Sequence, residues 1–413
     1  MEPVFEEWDT YADKKELKMR GINFESIKSN SKLKIVAITG IRRCGKTSAL
    51  IILHQILSKE DEKVGYINLE DNRIKNDENV LDNIVKWFGD NGYLLLDEIT
   101  NAISWENWIA RNHEMLKGKL NLILSSSRRS LAIPNKPLRG RMLVYELYPL
   151  SFREFLQFKD LKVEKTTAGI GKIEKSLDEY LIYGGFPEAV LLNDKTEKIR
   201  LLNSYFKDII GLDVAELSME KMSVVDLFGK YIVGSSYFSA SKCLNFFKSM
   251  GYKTSKQSLL HLEKCSQEGY LFFFVPIFSH KIKDRSQYPR KAYLGDTGFM
   301  YAINGKIEYG RLYENTVFLE LKRHDREISY WKNSQGAEVD FVICKGLKPK
   351  QIIQVAYDIE NENVRERELK GLIECAREFG LKNGLVITKS YEKNEKHDGI
   401  DIEFTSLRKW LLQ

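Results

Sequence analysis

A chain of 413 residues is too long for one ordinary core, and 43% hydrophobic with 30% charged residues describes a globular protein rather than a fibrous or disordered one. Its longest apolar stretch, around residues 270–278, falls far short of the ~20 residues that cross a bilayer, and the opening MEPVFEE has neither the basic nor the apolar region of an export signal, so no membrane partner and a cytoplasmic location are expected. The five cysteines form no CxxC pair, which argues against a disulfide framework or a thiolate metal site, and the net charge of +6 is unevenly placed: residues 221–300 carry 12 Lys and Arg against 5 Asp and Glu, leaving −1 for the rest.

In chain order, Leu33–Thr39 is a short, β-branched apolar run that predicts a buried strand. It leads directly into Gly40-Ile41-Arg42-Arg43-Cys44-Gly45-Lys46-Thr47, which matches G-x-x-x-x-G-K-[ST], and then into Ser48–Leu57, whose composition is helical. Strand, glycine-rich turn and helix are the context in which this motif binds phosphates. The glycines let backbone N–H groups close around the anion, and the helix N-terminus adds a positive dipole end. The ligands expected here are ATP or ADP with Mg²⁺. Residues 40–48 form the cradle, the Lys46 ammonium lies on the β- and γ-phosphates, and the Thr47 hydroxyl lies on the metal. Cys44 reads as a small filler of the loop.

Gly65–Leu69 predicts a second strand, and Tyr93–Leu96 a third that ends in Asp97-Glu98. An apolar run closing in Asp-Glu downstream of a P-loop has the form of a Walker B strand, with Asp97 as a Mg²⁺ partner and Glu98 as the base that orients water. The alternative is a solvated acidic turn. A fourth strand, Leu120–Leu124, ends in Ser125-Ser126-Ser127, placed either to sense a γ-phosphate or to cap the next turn. Strands alternating with helices predict an α/β, three-layer, largely parallel sheet with its ligand at the carboxyl ends of the strands.

Beyond these serines come Leu138-Arg139-Gly140-Arg141, the run YPLSFREFL over residues 148–156, and YGGFPEAV over residues 183–190. With Trp105, these segments resemble the archaeal-type P-loop ATPase family, an AAA+-related group carrying a C-terminal domain of unknown function. The resemblance covers nearly the whole chain, departing where Leu124-Ser125 replaces the usual Thr-Gly. It implies an arginine acting on the γ-phosphate, for which Arg139 and Arg141 are the candidates. They would serve within one chain or as a finger offered to a neighbouring copy, in which case a homo-oligomer is needed. The competing reading is a structural pair bridging to the Glu146 or Glu154 region. The resemblance also implies a helical lid opened by the Gly184-Gly185 turn.

Residues 224–279 alternate short helical stretches with polar breaks. A helix over Gln257–Cys265 is expected to set Leu259, Leu260 and Leu262 on or near one face and leave Lys256, His261 and Lys264 more exposed. A strand over Tyr270–Ile277, a basic loop His280–Arg285 and a strand over Lys291–Leu294 complete the pattern of a winged helix, for which double-stranded DNA is the expected partner. In the last domain, Glu314 opens a helix, while Ala337–Ile343 and Ile352–Ala356 are strands. This order resembles a restriction-endonuclease-like core with Glu314 and Asp340 at the carboxylate positions. The final motif, however, reads Gln354-Val355-Ala356, without its acid or its lysine, so the domain is expected to be degenerate and nuclease activity is not expected.

The expected division is an ATPase core over 1–158, a helical lid over 159–220, a winged helix over 221–300 and a nuclease-like domain over 301–413. The expected function is a DNA-associated, ATP-hydrolysing protein. The competing readings are a slowly hydrolysing signalling or scaffold switch that binds a protein, and an ATP-gated nuclease.

Overall fold

Five strands whose residues are apolar on both faces form a sheet that must be covered on both sides. They are β1 (Ile35–Thr39), β2 (Val64–Asn68), β3 (Gly92–Asp97), β4 (Leu120–Ser126) and β5 (Met142–Glu146), all parallel in the order β2-β3-β4-β1-β5. The computed structural model describes residues 1–132 and 138–413. Alternate residues of each strand go to opposite layers, as a period of two requires. Leu94, Leu96, Ile35 and Ala37 pack with Ile84, Trp108 and Ile109 in one core, whereas Tyr93, Leu95, Val36 and Ile38 pack with Leu50, Leu53 and Leu57 in the other. Three layers result. After β1 the chain crosses to β2 and β3, returns through β4, and passes over β1 to β5. The space beside β1 at the carboxyl edge is therefore the switch point of the sheet, where α/β folds bind ligands.

The chain divides into two compact units, Met1–Tyr148 with Glu268–Tyr270, and Pro149–Gln267 with Leu271–Gln413. The second unit opens with helices. Ser151 and Glu154 of the PLSFREF run form a reciprocal capping box at the start of Phe152–Phe158. The YGGFPEAV turn is a tight backbone crossing. Gly184 has φ +74°, and a Cβ there would lie 1.6 Å from Asp296 Oδ1. The Gly185 and Gly298 amides each donate to the Asp296 carboxylate at 2.8 Å. Burial pushes Asp296 up to about 7 against these two hydrogen bonds.

Further on, helix Met222–Val233, β6 (Tyr237–Phe238), helices Ala240–Ser249 and Lys256–Glu268, β7 (Phe272–Val275) and β8 (Arg290–Leu294) give a three-stranded antiparallel sheet in the order β6-β8-β7. Two expectations are corrected here. Tyr270 is not part of the strand: it turns back with φ +57° and belongs to the first unit. The expected basic loop contains a short helix, Ile282–Gln287, tied down by Ser279 Oγ donating to Asp284 Oδ2 at 2.8 Å.

Helix Tyr309–Arg323 then precedes β9 (Glu327–Lys332), β10 (Glu338–Lys345), β11 (Lys348–Ala356), β12 (Asn383–Thr388), β13 (Lys393–His397) and β14 (Ile400–Ser406), a mixed sheet in the order β13-β14-β12-β11-β10-β9. Helix Glu362–Phe379 makes the crossover between the parallel strands β11 and β12. No helix among the described residues is long and apolar enough to cross a membrane.

Candidate nucleotide site

Thr39 ends β1, and the chain enters the loop under a steric constraint. A Cβ on Gly40 would meet the Leu147 carbonyl oxygen at 1.9 Å, so only glycine fits. Arg43 at φ +71° and Gly45 at φ +104° complete the left-handed turns that bring the chain into helix Lys46–Lys59. Ile41 and Cys44 are buried in the loop, and Thr47 and Ser48 sit in the first helical turn. Arg42 turns outward to Glu70 at 3.1 Å. The Cys44 thiol donates to the Leu147 carbonyl at 3.2 Å and is pushed up by burial, which suits a filler.

The Lys46 ammonium is only 4% exposed and donates to the carbonyls of Gly40 at 3.1 Å and Ile41 at 3.3 Å, with Glu98 Oε1 at 3.7 Å. Asp97 is fully buried and takes hydrogen bonds from Tyr66 at 2.9 Å, from Ser125 and from Thr47. Burial raises its pKa, and the charge of Glu98 raises it further. A cation between Thr47 and Asp97 would relieve both effects, and a hydroxyl beside a carboxylate is the hard-oxygen donor set that Mg²⁺ takes alongside substrate phosphates.

Glu98 follows with φ +51°. Its Oε2 accepts from the Ser127 amide at 3.0 Å, and its own amide donates to Ser125 Oγ at 3.0 Å. The serines at the end of β4 thus hold both acidic side chains, a role neither sequence alternative had assigned to them.

Arg139 and Arg141 are not brought to this site. The Arg141 carbonyl accepts the Ile35 amide at 2.9 Å and β5 starts one residue later, so both arginines lie at the amino edge of the sheet. The five residues of β1 separate that edge from the loop by ~16 Å at ~3.3 Å per residue. Arg141 pairs with Glu114 at 3.3 Å, not with Glu146 or Glu154. Besides Arg42 and Arg43 of the loop itself, Arg128 and Arg129 lie at the carboxyl edge, just after β4. Arg129 Nε lies 3.5 Å from Glu146 Oε1, with its guanidinium 5.9 Å from the Tyr270 ring. The Tyr270 hydroxyl bonds Thr39 Oγ1 at 2.8 Å and Glu146 at 3.1 Å, next to Gly40.

A second residue that motif reading missed is Arg20. It is 6% exposed, and it donates to the Cys44 carbonyl at 2.6 Å and the Tyr148 carbonyl at 3.1 Å, bracing the loop from behind. The only sequence signal for Arg128 and Arg129 is their position after a polar strand end, and Arg20 has none.

Residues 32–156 match the AAA domain family. Residues 174–308 and 309–408 match two families described as domains of unknown function, DUF8612 and DUF4143. The uncharacterized protein MJ1544 of Methanocaldococcus jannaschii is 32% identical over 401 residues, covering 92% of this chain and 88% of that one. This chain belongs to the same family as that archaeal protein. An uncharacterized protein of Haemophilus influenzae is 26% identical over 396 residues, covering 92% and 94% of the two chains. Among solved structures, AMPPCP-bound DnaA from Aquifex aeolicus aligns at 16% identity and TM-score 0.27, over 60% of this chain and 86% of that one. A STAND protein with a tetratricopeptide repeat sensor from Pyrococcus horikoshii aligns at 12% identity and TM-score 0.31, over 75% and 46%. The AAA match covers residues 32–156 of this chain, and the loop Gly40–Thr47 lies inside it.

Proposed function

We propose that this AAA protein hydrolyses ATP at the carboxyl edge of β1, β3 and β4 and couples the nucleotide state to engagement of double-stranded DNA. The observation that carries the hydrolytic part is the meeting of Lys46, Thr47, Asp97 and Glu98, which come from two separated stretches of sequence, around one buried site. Lys46 exchanges its two carbonyl partners for phosphate oxygens. Thr47 and Asp97 would hold Mg²⁺, which supplies positive charge to the β- and γ-phosphates when bound. Glu98, fixed by the Ser127 amide, accepts a proton from the attacking water as the bond from the bridging oxygen to the γ-phosphorus breaks. Arg128 or Arg129 supplies charge within the same chain, the role expected of Arg139 and Arg141.

The DNA part rests on the middle segment, which we read as a winged helix. Helix Lys256–Glu268 buries Leu259 and Leu262 and leaves Lys256, His261 and Lys264 exposed, and Lys242, Lys248 and Lys253 are exposed on the preceding stretch. Such a face neutralises several phosphates, so binding should weaken steeply with salt. The test is the ATPase rate with and without duplex DNA across a salt series. Stimulation that fades as salt rises supports the reading. A turnover that DNA leaves unchanged at every salt concentration sinks the DNA part and favours a protein partner, while loss of all turnover in Glu98→Gln tests the hydrolytic part separately.

A further inference from the structure

Three carboxylates of the second unit converge on one ammonium. Lys291, on β8, places Nζ 2.6 Å from Asp340 Oδ1, 2.9 Å from Glu314 Oε1 and 2.9 Å from Glu338 Oε1. Glu338 and Asp340 stand two apart on β10, and Glu314 comes from helix Tyr309–Arg323. The ammonium donates to Asp340 and Glu314 and forms an ion pair with Glu338.

The remaining carboxylate lone pairs are largely taken by the protein. The Val355 amide donates to Asp340 Oδ2 at 2.8 Å, the Tyr293 hydroxyl to Glu314 at 2.6 Å, the Tyr237 hydroxyl to Glu338, and Lys332 to Glu338 Oε2 at 3.0 Å. Lys291 is 3% exposed and Asp340 6%. Burial would lower the Lys291 pKa, but Asp340, Glu314 and Glu338 together raise it well above the ordinary lysine value, so the charge stays in place.

Glu314 and Asp340 are the two carboxylates that the sequence pattern placed beside an absent lysine. A lysine is present, but it arrives from β8, more than sixty residues before Ala356. Gln354 fits the same account. A fourth carboxylate there would add negative charge that one ammonium cannot offset, whereas the amide accepts the Asp340 N–H at 3.1 Å and donates its own NH₂ to Glu368.

We propose that Lys291 is the resident cation of this cluster, holding the position in which the three carboxylates would otherwise require a divalent cation, so that the cluster is a latch joining β8 to β10 and to helix Tyr309–Arg323. Removing the ammonium leaves the buried Asp340 carboxylate facing the half-buried carboxylates of Glu314 and Glu338, which is far more destabilising than deleting an exposed pair. The device is independent of the nucleotide site.

The experiment is thermal unfolding of the nucleotide-free full chain with and without MnCl₂, for the wild type, Lys291→Met, Asp340→Asn and Lys291→Met/Asp340→Asn. Lys291→Met is expected to lose on the order of 10 °C. Mn²⁺ should restore part of that loss, beyond any shift it gives the wild type, and the double variant should be more stable than the single one and no longer respond to Mn²⁺. If Lys291→Met is too unstable to purify, recovery of soluble protein in the double variant carries the same meaning. Three results overturn the proposal: a single variant as stable as the wild type, a double variant no better than the single one, or a wild-type Mn²⁺ shift that Asp340→Asn abolishes.

Discussion

Two lysines, each among carboxylates and each nearly inaccessible to solvent, occupy this molecule in opposite ways. Lys46 rests on two main-chain carbonyls at 3.1 and 3.3 Å, with its nearest carboxylate at 3.7 Å. Lys291 has three carboxylates at 2.6–2.9 Å, two of them accepting its hydrogen bonds. The first arrangement is one that an incoming anion can displace, because the carbonyls are weak partners and a phosphate offers charge. In the second, any ligand would have to break two charge-assisted hydrogen bonds and a third ion pair to enter. Function is therefore read from how incompletely a charged group is satisfied, rather than from which residue types are gathered.

The largest expected effect separates the two lysines directly. Lys46→Ala and Glu98→Gln should each reduce ATP turnover ~10²-fold or more, while shifting the melting temperature of the nucleotide-free chain far less than Lys291→Met does. Steady-state phosphate release and thermal unfolding on the same preparations make the comparison. A Lys46→Ala chain as destabilised as Lys291→Met would show that Lys46, too, is a structural latch.

Next in size is the arginine at the carboxyl edge. Arg129→Ala removes charge beside Glu146 and should lower kcat by ~10-fold or more with little change in KM, as for a group that acts on the developing charge of the phosphoryl transfer. Equal losses in kcat for Arg129→Lys and Arg129→Ala would point to the planar fork, and full activity in the lysine variant to charge alone.

A smaller effect of another kind is expected at Arg20, which holds the loop through the Cys44 carbonyl. Arg20→Ala should raise the Kd for ATP by about tenfold, the cost of one charged hydrogen bond at ~1.5 kcal/mol or more, leaving kcat nearly unchanged. Titration with a fluorescent ATP analogue measures it, and a fall in kcat at unchanged affinity would move Arg20 from bracing the loop to acting on the reaction.

What could be read in advance follows from how each feature is encoded. The nucleotide loop and the Asp97-Glu98 pair were legible because each is contiguous and its chemistry needs fixed spacing after a buried strand. Four strands of the sheet were legible because they are apolar and buried on both faces; β5, whose residues are mostly half-buried, was not. Lys291, Arg20 and the Asp296 contact with Gly184 and Gly185 were not, since each joins residues far apart in sequence with no periodic signal. Tyr270 was hidden inside an aromatic run that promised one continuous strand, and only its positive φ removes it. For the arginines, a motif-based expectation chose residues at the wrong end of β5. Because β5 was not expected, nothing in the sequence placed Arg139 and Arg141 just ahead of a parallel strand, at the amino edge.

That last point leads to the smallest expected effect. Arg139 and Arg141 lie ~16 Å from the loop, counting ~3.3 Å for each of the five residues of β1, so neither reaches a phosphate bound within the same chain. An arginine finger offered by a neighbouring copy would be worth ~10³-fold in turnover. We expect instead that Arg139→Ala and Arg141→Ala each change kcat by about twofold or less, with the exposed Arg141–Glu114 pair contributing ~0–1 kcal/mol to stability. The decisive measurement is specific activity against protein concentration. A wild-type rate that rises with concentration and an Arg141→Ala rate that does not would return the arginine to the reaction through a second copy of the chain. Flat, superimposable curves would leave Arg128 and Arg129 as the arginines that serve the site.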